Sequence, residues 1–250
     1  MNFNGKHILL TGGSDGIGLA LARQLRDKGA HVTISGRNEE RLATAKAEGL
    51  GVISGDLSTP QGCTALADTW GEAPLDILIN NAGVSSAPNA GVSCVYKAGE
   101  PVDLAAMDRA IFLNFHAPVH LITHFLPRLQ AAREAMIVNV TSGLAIAPRS
   151  EAPIYCATKA GLRSFTMALR HQLKNTHIRM LEVLPPVVET KMTAGHIARG
   201  HRAISPDQCA AEVVRAMERG AKEANVGMVK TLRRTYSISP ALARRVMIGF

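Results

Sequence analysis

A chain of 250 residues, 46% of them apolar and 19% charged, is long enough to bury one sizeable core and too hydrophobic for wholesale disorder. Its net charge of +8 is compatible with an anionic partner, but six Phe, three Tyr and one Trp are too few for a base-stacking surface. No stretch approaches the roughly 18 apolar residues that span a bilayer, so we expect neither nucleic-acid binding nor a membrane-spanning protein.

The cysteines and the N-terminus indicate a cytoplasmic protein. The cysteines show neither CxxC pairs nor the spacing of metal ligands, so we expect reduced thiols and no metal site. The apolar stretch near the N-terminus is too short for a signal peptide. The cysteines are Cys63, Cys94, Cys156 and Cys209.

Apolar, β-branched runs alternate along the chain with segments of helical periodicity. Runs that are apolar throughout are typical of strands buried on both faces. Their alternation with helices predicts an α/β fold, a doubly wound, Rossmann-like parallel sheet with helices on both faces, formed as one domain by residues 1–250. The predicted strands are His7–Leu10, Val32–Ile34, Leu75–Ile79, Met136–Val140 and Ile178–Leu184. The predicted helices are Gly16–Lys28, Glu39–Ala47, Pro60–Trp70, Leu104–Ala131, Tyr155–Leu173 and Pro206–Arg219, and a final strand precedes a short helix at Pro240–Met247.

The first predicted strand leads through a glycine-rich turn, residues 11–18, into a helix. Glycine lacks a Cβ, so the backbone can turn sharply and approach a pyrophosphate, which the N-terminus of the next helix stabilises. The spacing GxxxGxG differs from the dinucleotide fingerprint GxGxxG, but the strand–turn–helix context favours a cofactor loop over an ordinary turn. The candidate cofactor-binding residues in it are Gly12, Ser14, Asp15, Gly16, Ile17 and Gly18.

The end of the second strand favours NADP(H) over NAD. An acidic residue here would hold the 2′-hydroxyl of the adenosine ribose, but Gly36 and Arg37 stand there instead. An arginine accommodates a 2′-phosphate through charge-assisted hydrogen bonds, which makes Arg37 a candidate cofactor-binding residue. The alternative is an ordinary surface arginine, and the Asp15 carboxylate argues against a nearby phosphate because it would repel one.

Three residues have the chemistry of a proton-transfer centre. Tyr155 and Lys159 stand at i and i+4, so they share one face of a helix. A tyrosine has an ordinary pKa of about 10, and a lysine cation one turn away favours the phenolate, so the phenol can serve as an acid or base near neutral pH. Ser142 follows a predicted buried strand, and ligands of open parallel sheets bind at that edge. Each residue alone is typical of packing or capping, but the combination predicts catalysis.

These motifs, taken in order, resemble those of the short-chain dehydrogenase/reductase family. The resemblance rests on TGGSDGIG at 11–18, Asp56-Leu57, NNAG at 80–83, Asn114, Ser142 and YxxxK at 155–159, over about three quarters of the chain. It implies hydride exchange between NADP(H) and a ketone or secondary alcohol. The implied catalytic residues are Asn114, Ser142, Tyr155 and Lys159. The implied cofactor contacts beyond the glycine-rich turn are Asp56, Leu57, Asn81, Ala82, Gly83, Tyr155, Lys159, Pro185, Val188 and Thr190.

The resemblance also assigns roles. Tyr155 would be the general acid and base, Lys159 would also hold the nicotinamide ribose, and Asn114 would support a proton-relay water. The family commonly has Pro-Gly where this chain has Pro185-Pro186, and a second proline stiffens that cofactor loop. The C-terminal half resembles a bacterial branch that includes the oxidoreductase associated with teichoic-acid D-alanylation. The partners implied are a small carbonyl or alcohol substrate and further copies of the chain, in a homodimer or homotetramer.

Several alternatives remain at this level. A non-catalytic NADP(H)-binding regulator would keep the fold, although the complete Ser/Tyr/Lys/Asn set favours the enzyme. His116, His120 and His124 form one helical stripe that would suit zinc, but the predicted chemistry needs none. The basic tail after Lys222 would act as edge packing or subunit contact, or less favourably as a peripheral contact with anionic membranes. The substrate depends on the loops 84–102 and 187–204.

Overall fold

The computed structural model describes residues 1–85, 95–190 and 203–249, and within them the chain forms one parallel sheet of seven strands. The strand order is β3-β2-β1-β4-β5-β6-β7. The chain therefore winds outward twice from β1, which confirms the predicted doubly wound, Rossmann-like α/β fold. The strands are β1 His7–Thr11, β2 His31–Gly36, β3 Gly51–Ser54, β4 Ile77–Asn80, β5 Ala135–Val140, β6 Ile178–Leu184 and β7 Glu223–Asn225.

Helices connect the strands and cover both faces of the sheet. Alternate side chains of each strand point to opposite faces, so Ile8 and Leu10 of β1 join one apolar cluster and Leu9 joins the other. The first cluster is completed by α1, α2 and α7, and the second by α3, α5 and part of α6. The helices are α1 Gly16–Asp27, α2 Glu39–Ala47, α3 Pro60–Trp70, α4 Leu104–Ile111, α5 Ala117–Ala131, α6 Pro153–Gln172, α7 Pro206–Glu218, α8 Val229–Ile238 and α9 Pro240–Ile248. No helix in the described ranges is both long and apolar enough to cross a membrane.

The two edge strands were not among the predicted strands. Among the described residues, β3 pairs only with β2, and β7 pairs only with β6. Each is short and partly exposed, so neither has the continuous apolar run that marks the central strands. The predicted strand Leu75–Ile79 is shifted, and the structure begins and ends it later, at Ile77–Asn80.

The C-terminal segment is a second correction. A final strand was expected after Val226, but the structure places the two helices α8 and α9 there. Val229, Leu232 and Tyr236 recur at helical spacing and pack on Ile146 and Leu184. This amphipathic face determines the helix in spite of the β-branched and aromatic content, and the predicted short helix at Pro240–Met247 is confirmed as α9.

The predicted helix Leu104–Ala131 is not a uniform α-helix. Residues Phe112–His116 form a π-helix between α4 and α5. Insertions of this kind are frequent at functional sites, because they turn a side chain toward a position that an α-helix would not reach. Here the inserted turn carries Asn114, which is fully buried.

Candidate active site

A cleft of about 680 Å³ opens along the carboxyl edge of the sheet, from the ends of β2 and β3 to those of β5 and β6. It includes the ends of β1 and β4, where the strand order reverses, which is where ligands of this fold bind. All predicted cofactor-binding residues except Val188 line it, namely Gly12, Ser14, Asp15, Gly16, Ile17, Gly18, Arg37, Asp56, Leu57, Asn81, Ala82, Gly83, Tyr155, Lys159, Pro185 and Thr190. Further lining residues, which the sequence reasoning missed, are Ser35, Asn38, Arg41, Gly55, Val84, Leu113, Val140 and Thr141.

The glycine-rich turn forms an open cradle at the N-terminus of α1. Gly12 has φ +66° and Gly16 has φ +53°, a region that only glycine adopts readily. A Cβ on Gly12 would stand 2.8 Å from the Cα of Ala82, and a Cβ on Gly18 would collide with the carbonyl oxygen of Gly12. The N-terminus of α1 therefore faces a space that accepts a pyrophosphate.

Asn81 fastens this turn to the end of β4. Its amide nitrogen donates to the carbonyl oxygens of Thr11 and Gly12, both at 3.0 Å. The hydroxyl of Thr11 in turn accepts from the backbone N–H groups of Asn81 and Ala82, both at 3.1 Å. Asn81 thus stabilises the cradle from behind as well as lining the cleft.

The carboxylate of Asp15 is occupied on both sides. One oxygen caps α1 by accepting from the backbone N–H of Gly16 at 2.8 Å, and the other pairs with the guanidinium of Arg41 at 2.8 Å. Arg41 lies in the first turns of α2 and lines the cleft together with Arg37. Asp15, which argued against a phosphate in the sequence, is therefore neutralised by an arginine that the sequence reasoning did not identify.

The segment after β3 forms the wall beside Arg37. Asp56 lines the cleft and one of its carboxylate oxygens accepts from the backbone N–H of Ser58 at 3.0 Å, while Leu57 is buried next to it. This is the side at which an adenine would lie, as the resemblance implied for Asp56 and Leu57.

Tyr155 and Lys159 share one face of α6 at the other end of the cleft. Lys159 is only 4% exposed, and its ammonium donates to the carbonyl oxygen of Val140 at 2.9 Å. The same nitrogen lies 5.8 Å from the centroid of the Tyr155 ring. The end of β5 thus fixes the cation beside the phenol.

Asn114 is brought to Lys159 by the π-helix. Its amide group bonds both backbone groups of Val84, accepting from the N–H at 2.8 Å and donating to the carbonyl oxygen at 2.9 Å, and it also donates to the hydroxyl of Thr158 at 3.2 Å. Gly83 lies between the two residues, because a Cβ there would stand 3.0 Å from Oδ1 of Asn114 and 3.3 Å from Nζ of Lys159.

Ser142 lies at the carboxyl end of β5, where the sequence placed it, but it is 7% exposed and does not line the cleft formed by the described residues. Its hydroxyl oxygen accepts from the backbone N–H of Leu144 at 3.1 Å and caps the 3-10 turn Gly143–Ala145. The N–H of Gly143 donates to the carbonyl oxygen of Pro185 at 3.1 Å, which joins this turn to the end of β6.

The segment after β6 closes the cradle from the opposite side. Thr190 lines the cleft, and its Cγ2 would stand 2.9 Å from a Cβ on Gly16. Val188 is 3% exposed and forms an isolated backbone bridge with Ile204, and the cofactor contact that the resemblance implies for it is through its backbone. Much of the two predicted substrate loops, residues 86–94 with Cys94 and residues 191–202, lies outside the described residues.

The remaining candidates have structural surroundings. The rings of His116 and His120 contact the ring of Phe112 edge-on, and no group of three acidic, histidine or cysteine side chains in the described ranges is arranged to hold a metal ion. Burial raises the pKa of Cys63 to about 11 and that of Cys209 to about 12, and it also raises the pKa of Cys156, which is next to Tyr155 in the chain. Burial therefore disfavours the reactive thiolate form of these three cysteines.

The cleft fits a nicotinamide dinucleotide on three grounds. The cradle would be filled by a single Cβ, helix α1 presents N–H donors to it, and cationic side chains stand at both ends of the cleft. Arg37 and Asp56 would hold the adenosine half, the glycine turn the pyrophosphate, and Lys159 the nicotinamide ribose.

Comparison with known proteins agrees with this geometry. A family model described as short chain dehydrogenase matches residues 6–199. The chain is 43% identical over 195 residues to the uncharacterized oxidoreductase DltE of Bacillus subtilis, covering 76% of this chain and 74% of that protein. A short chain dehydrogenase from Burkholderia cenocepacia, solved in complex with NADP, superposes with a TM-score of 0.85 at 22% identity over 100% of both chains. A second, from Burkholderia phymatum in complex with NAD, gives a TM-score of 0.79 at 22% identity over 95% of this chain and 96% of that one. The chain therefore belongs to the short-chain dehydrogenase/reductase family of oxidoreductases.

Proposed function

We propose that the protein is an NADP(H)-dependent oxidoreductase that interconverts a ketone and a secondary alcohol. The observation that carries the proposal is the buried ammonium of Lys159, held by Val140 and facing the ring of Tyr155 at the end of a cleft shaped for a dinucleotide. When bound, the nicotinamide ring supplies hydride to the carbonyl or accepts it from the alcohol.

Tyr155 moves the proton. In the reducing direction its phenol donates a proton to the substrate oxygen, and in the oxidising direction its phenolate accepts one. The ammonium of Lys159 favours the phenolate by its charge, and the bond to Val140 keeps that charge in place without neutralising it. One lysine thus tunes the phenol and holds the ribose.

Ser142 orients the substrate oxygen. Its own oxygen accepts from Leu144, a bond that uses a lone pair and leaves the hydroxyl proton for the substrate. The side chain of Asn114 is committed to Val84 and Thr158, so we assign the support of the relay water to its backbone carbonyl. The π-helix in which it lies alters the carbonyl bonding of an ordinary helix.

The preference for NADP(H) rests on Arg37 and Arg41. Arg37 lies after β2, at the point where a 2′-phosphate of the adenosine ribose would stand. Arg41 removes the repulsion of Asp15 by pairing with it. The charges of Arg41 and Asp15 thus offset each other, and the guanidinium of Arg37 is the cation that meets the phosphate.

We further propose that the chain acts as one domain, in the cytoplasm, as a homodimer or homotetramer on a small carbonyl or alcohol substrate. The support for self-association is the set of exposed aliphatic side chains on the C-terminal helices. They are Ile238, Leu242, Val246 and Ile248.

The proposal is tested by incubating the purified protein with NADPH or NADH and a panel of ketones that includes acetoacetyl-CoA and L-sorbose. We expect consumption of NADPH with at least one ketone, measured by absorbance, and loss of that activity in Tyr155→Phe. Tight binding of NADPH without turnover of any ketone, or of any secondary alcohol with NADP, would instead favour a non-catalytic cofactor-binding protein.

A further inference from the structure

Glu182 is a completely buried carboxylate for which the proposed chemistry has no use. It lies in β6 with 0% exposure, one strand away from the catalytic end of β5. One oxygen accepts from the hydroxyl of Thr141 at 2.8 Å, and the other accepts from the guanidinium of Arg163 at 2.6 Å. Burying a charge is costly, and an apolar side chain at this position would avoid that cost. The carboxylate of Glu182 is therefore expected to have a role that an apolar side chain cannot fill.

The first oxygen holds the strand that carries Ser142. Thr141 stands between Val140, whose carbonyl oxygen accepts from Lys159, and Ser142 itself. The backbone N–H of Thr141 also donates to the carbonyl oxygen of Val183 at 2.8 Å. Its side chain and backbone together fix the last residues of β5 against β6.

The second oxygen holds the helix that carries the acid and base. Arg163 follows Lys159 by four residues and Tyr155 by eight, so all three side chains lie on one face of α6. The ion pair with Glu182 therefore ties this face to β6 one turn beyond the catalytic lysine. One carboxylate therefore bonds the residue before Ser142 with one oxygen and the residue one helical turn after Lys159 with the other.

We infer that Glu182 is a positioning residue that sets the distance between Ser142 and the Tyr155–Lys159 pair by holding Thr141 with one oxygen and Arg163 with the other. This inference rests on the proposed function. Burial raises the pKa of Glu182, and the charge of Arg163 and the hydroxyl of Thr141 act in the opposite direction. The hydrogen bonds from Thr141 and Arg163 thus also supply the partners that a buried carboxylate requires.

The structure offers a matched control for the loss of charge. Arg163 also pairs with Glu223 of β7 at 3.1 Å, and Glu223 has no bond to Thr141 among the described residues. Glu223→Leu therefore removes a carboxylate from Arg163 and leaves the strand of Ser142 in place. Glu182→Leu removes the bonds to both Thr141 and Arg163 and replaces glutamate by a side chain of similar volume. Glu182→Gln keeps them without the charge, because the amide can accept from Arg163 and donate to Thr141, whose hydroxyl turns to Val183.

We expect Glu182→Leu to lower kcat by about ten- to hundredfold, because small displacements of reacting groups are costly, while Glu182→Gln and Glu223→Leu stay near the parent rate. Thr141→Val, which removes the bond to Glu182 with little change in shape, lowers kcat, and Thr141→Ser restores it. The assay uses NADPH with a ketone that the panel above shows to be reduced. The melting temperature of each variant is measured alongside.

A second readout needs neither substrate nor cofactor. The ionisation of Tyr155 is followed by ultraviolet difference spectra against Tyr155→Phe, in the parent and in each variant. Moving Lys159 away from the phenol shifts the midpoint upward, whereas removing a negative charge by itself would shift it downward. We expect an upward shift in Glu182→Leu and either no shift or a downward shift in Glu223→Leu.

The inference is overturned if Thr141→Val and Glu182→Leu keep the parent kcat, or if Glu182→Leu and Glu223→Leu lose activity only in proportion to their loss of thermal stability. A downward shift of the Tyr155 midpoint in Glu182→Leu would also overturn it. The proposed function is judged separately by Tyr155→Phe. An active Tyr155→Phe would refute both, while an inactive Tyr155→Phe beside a fully active Glu182→Leu would refute the inference alone.

Discussion

At the adenosine end of the cleft, three side chains determine how a phosphate is received. Arg37 lines the cleft without a carboxylate partner among the described residues. Arg41 is occupied by Asp15 at 2.8 Å, and both members of that pair are about 40% exposed, so solvent weakens their attraction but not their local neutrality. We therefore expect Arg37 to distinguish NADP(H) from NAD(H). Arg41 instead offsets the charge of Asp15, which would otherwise repel the phosphates of either cofactor.

Arg37→Asp should therefore weaken the binding of NADPH and not that of NADH. A bidentate contact between arginine and phosphate is worth on the order of 1–3 kcal/mol, or about five- to 150-fold in affinity. The dissociation constants of both cofactors are measured by fluorescence titration, with Arg219→Asp on the surface as a control for net charge. Equal affinity of the unmutated protein for NADPH and NADH would refute the assignment of Arg37.

Arg41→Ala should behave differently, because it leaves the carboxylate of Asp15 without its partner beside the cradle. We expect weaker binding of NADPH and NADH to a similar extent, measured by the same titration. Double replacement of Arg41 and Asp15 by neutral residues, Arg41→Ala with Asp15→Asn, should restore much of the affinity, since the asparagine still caps α1. A loss confined to NADPH would show that Arg41 contacts the 2′-phosphate directly.

Tyr155→Phe removes only a hydroxyl, so cofactor binding should survive while turnover falls by about 10² or more. Lys159→Ala should impair both, because this side chain is asked to tune the phenol and hold the ribose. NADPH titration and the rate of NADPH oxidation separate the two effects. A Tyr155→Phe variant with near-normal turnover would exclude the phenol as the acid and base.

Among the elements, the turn between β1 and α1 has the least freedom to change. The cradle depends on Gly18, where a side chain would meet the carbonyl oxygen of Gly12 and the amide of Asn81. Backbone cannot move aside cheaply here, since Asn81 already fixes it by two hydrogen bonds of 3.0 Å. The turn can therefore keep its shape only if this position carries no side chain.

Gly18→Ala is expected to abolish measurable NADPH binding and to lower the melting temperature. Gly161→Ala is the matched control. Gly161 lies inside α6, and a Cβ there would make an ordinary 3.7 Å contact with the ring of Phe115. Alanine is favoured over glycine in a helix by up to about 1 kcal/mol, so this control should keep or gain stability. Thermal shift with and without NADPH checks both variants, and retention of a ligand-induced shift in Gly18→Ala would contradict the cradle.

At the scale of the whole molecule, the C-terminal helices present the largest group of exposed aliphatic side chains among the residues that the structure describes. Ile238 is 87% exposed and Leu242 and Val246 are each more than half exposed, at 52% and 53%. α8 packs its other face on the 3-10 turn Gly143–Ala145, since a Cβ on Gly143 would stand 2.8 Å from Val229. α8 thus packs inward on this turn, while α8 and α9 together face outward with an apolar surface.

Leu242→Lys should shift the protein toward monomer in analytical ultracentrifugation if a second copy covers this surface. Leu104→Lys is the control, because Leu104 is 64% exposed at the start of α4 and has no place in the proposed contact. Anionic vesicles should not sediment the parent protein at low salt. Co-sedimentation that Leu242→Lys abolishes would instead assign the surface to a membrane, through the arginines at 233–234 and 244–245.

The sequence by itself determined what depends on spacing within one element. Central strands are apolar throughout, the glycine turn stands between a strand and a helix, and Tyr155 and Lys159 share a face because four residues nearly complete a helical turn. These features predict the fold, the cofactor-binding edge of the sheet and the resemblance to the family without any tertiary contact. The edge strands and the helix α8 were missed, because partial exposure or packing against a distant turn decides them.

Only the tertiary structure decided which distant residues complete the site. Arg41 reaches Asp15 across 26 positions of the chain, Asn114 reaches Val84 across 30, and Thr141 reaches Glu182 across 41. No local sequence pattern predicts such pairs, because the order of strands in the sheet is what brings the two residues together. The physical reason is that a charge or amide becomes costly to leave unpaired only when the fold buries it, so its partner is chosen by the fold rather than by its neighbours in sequence.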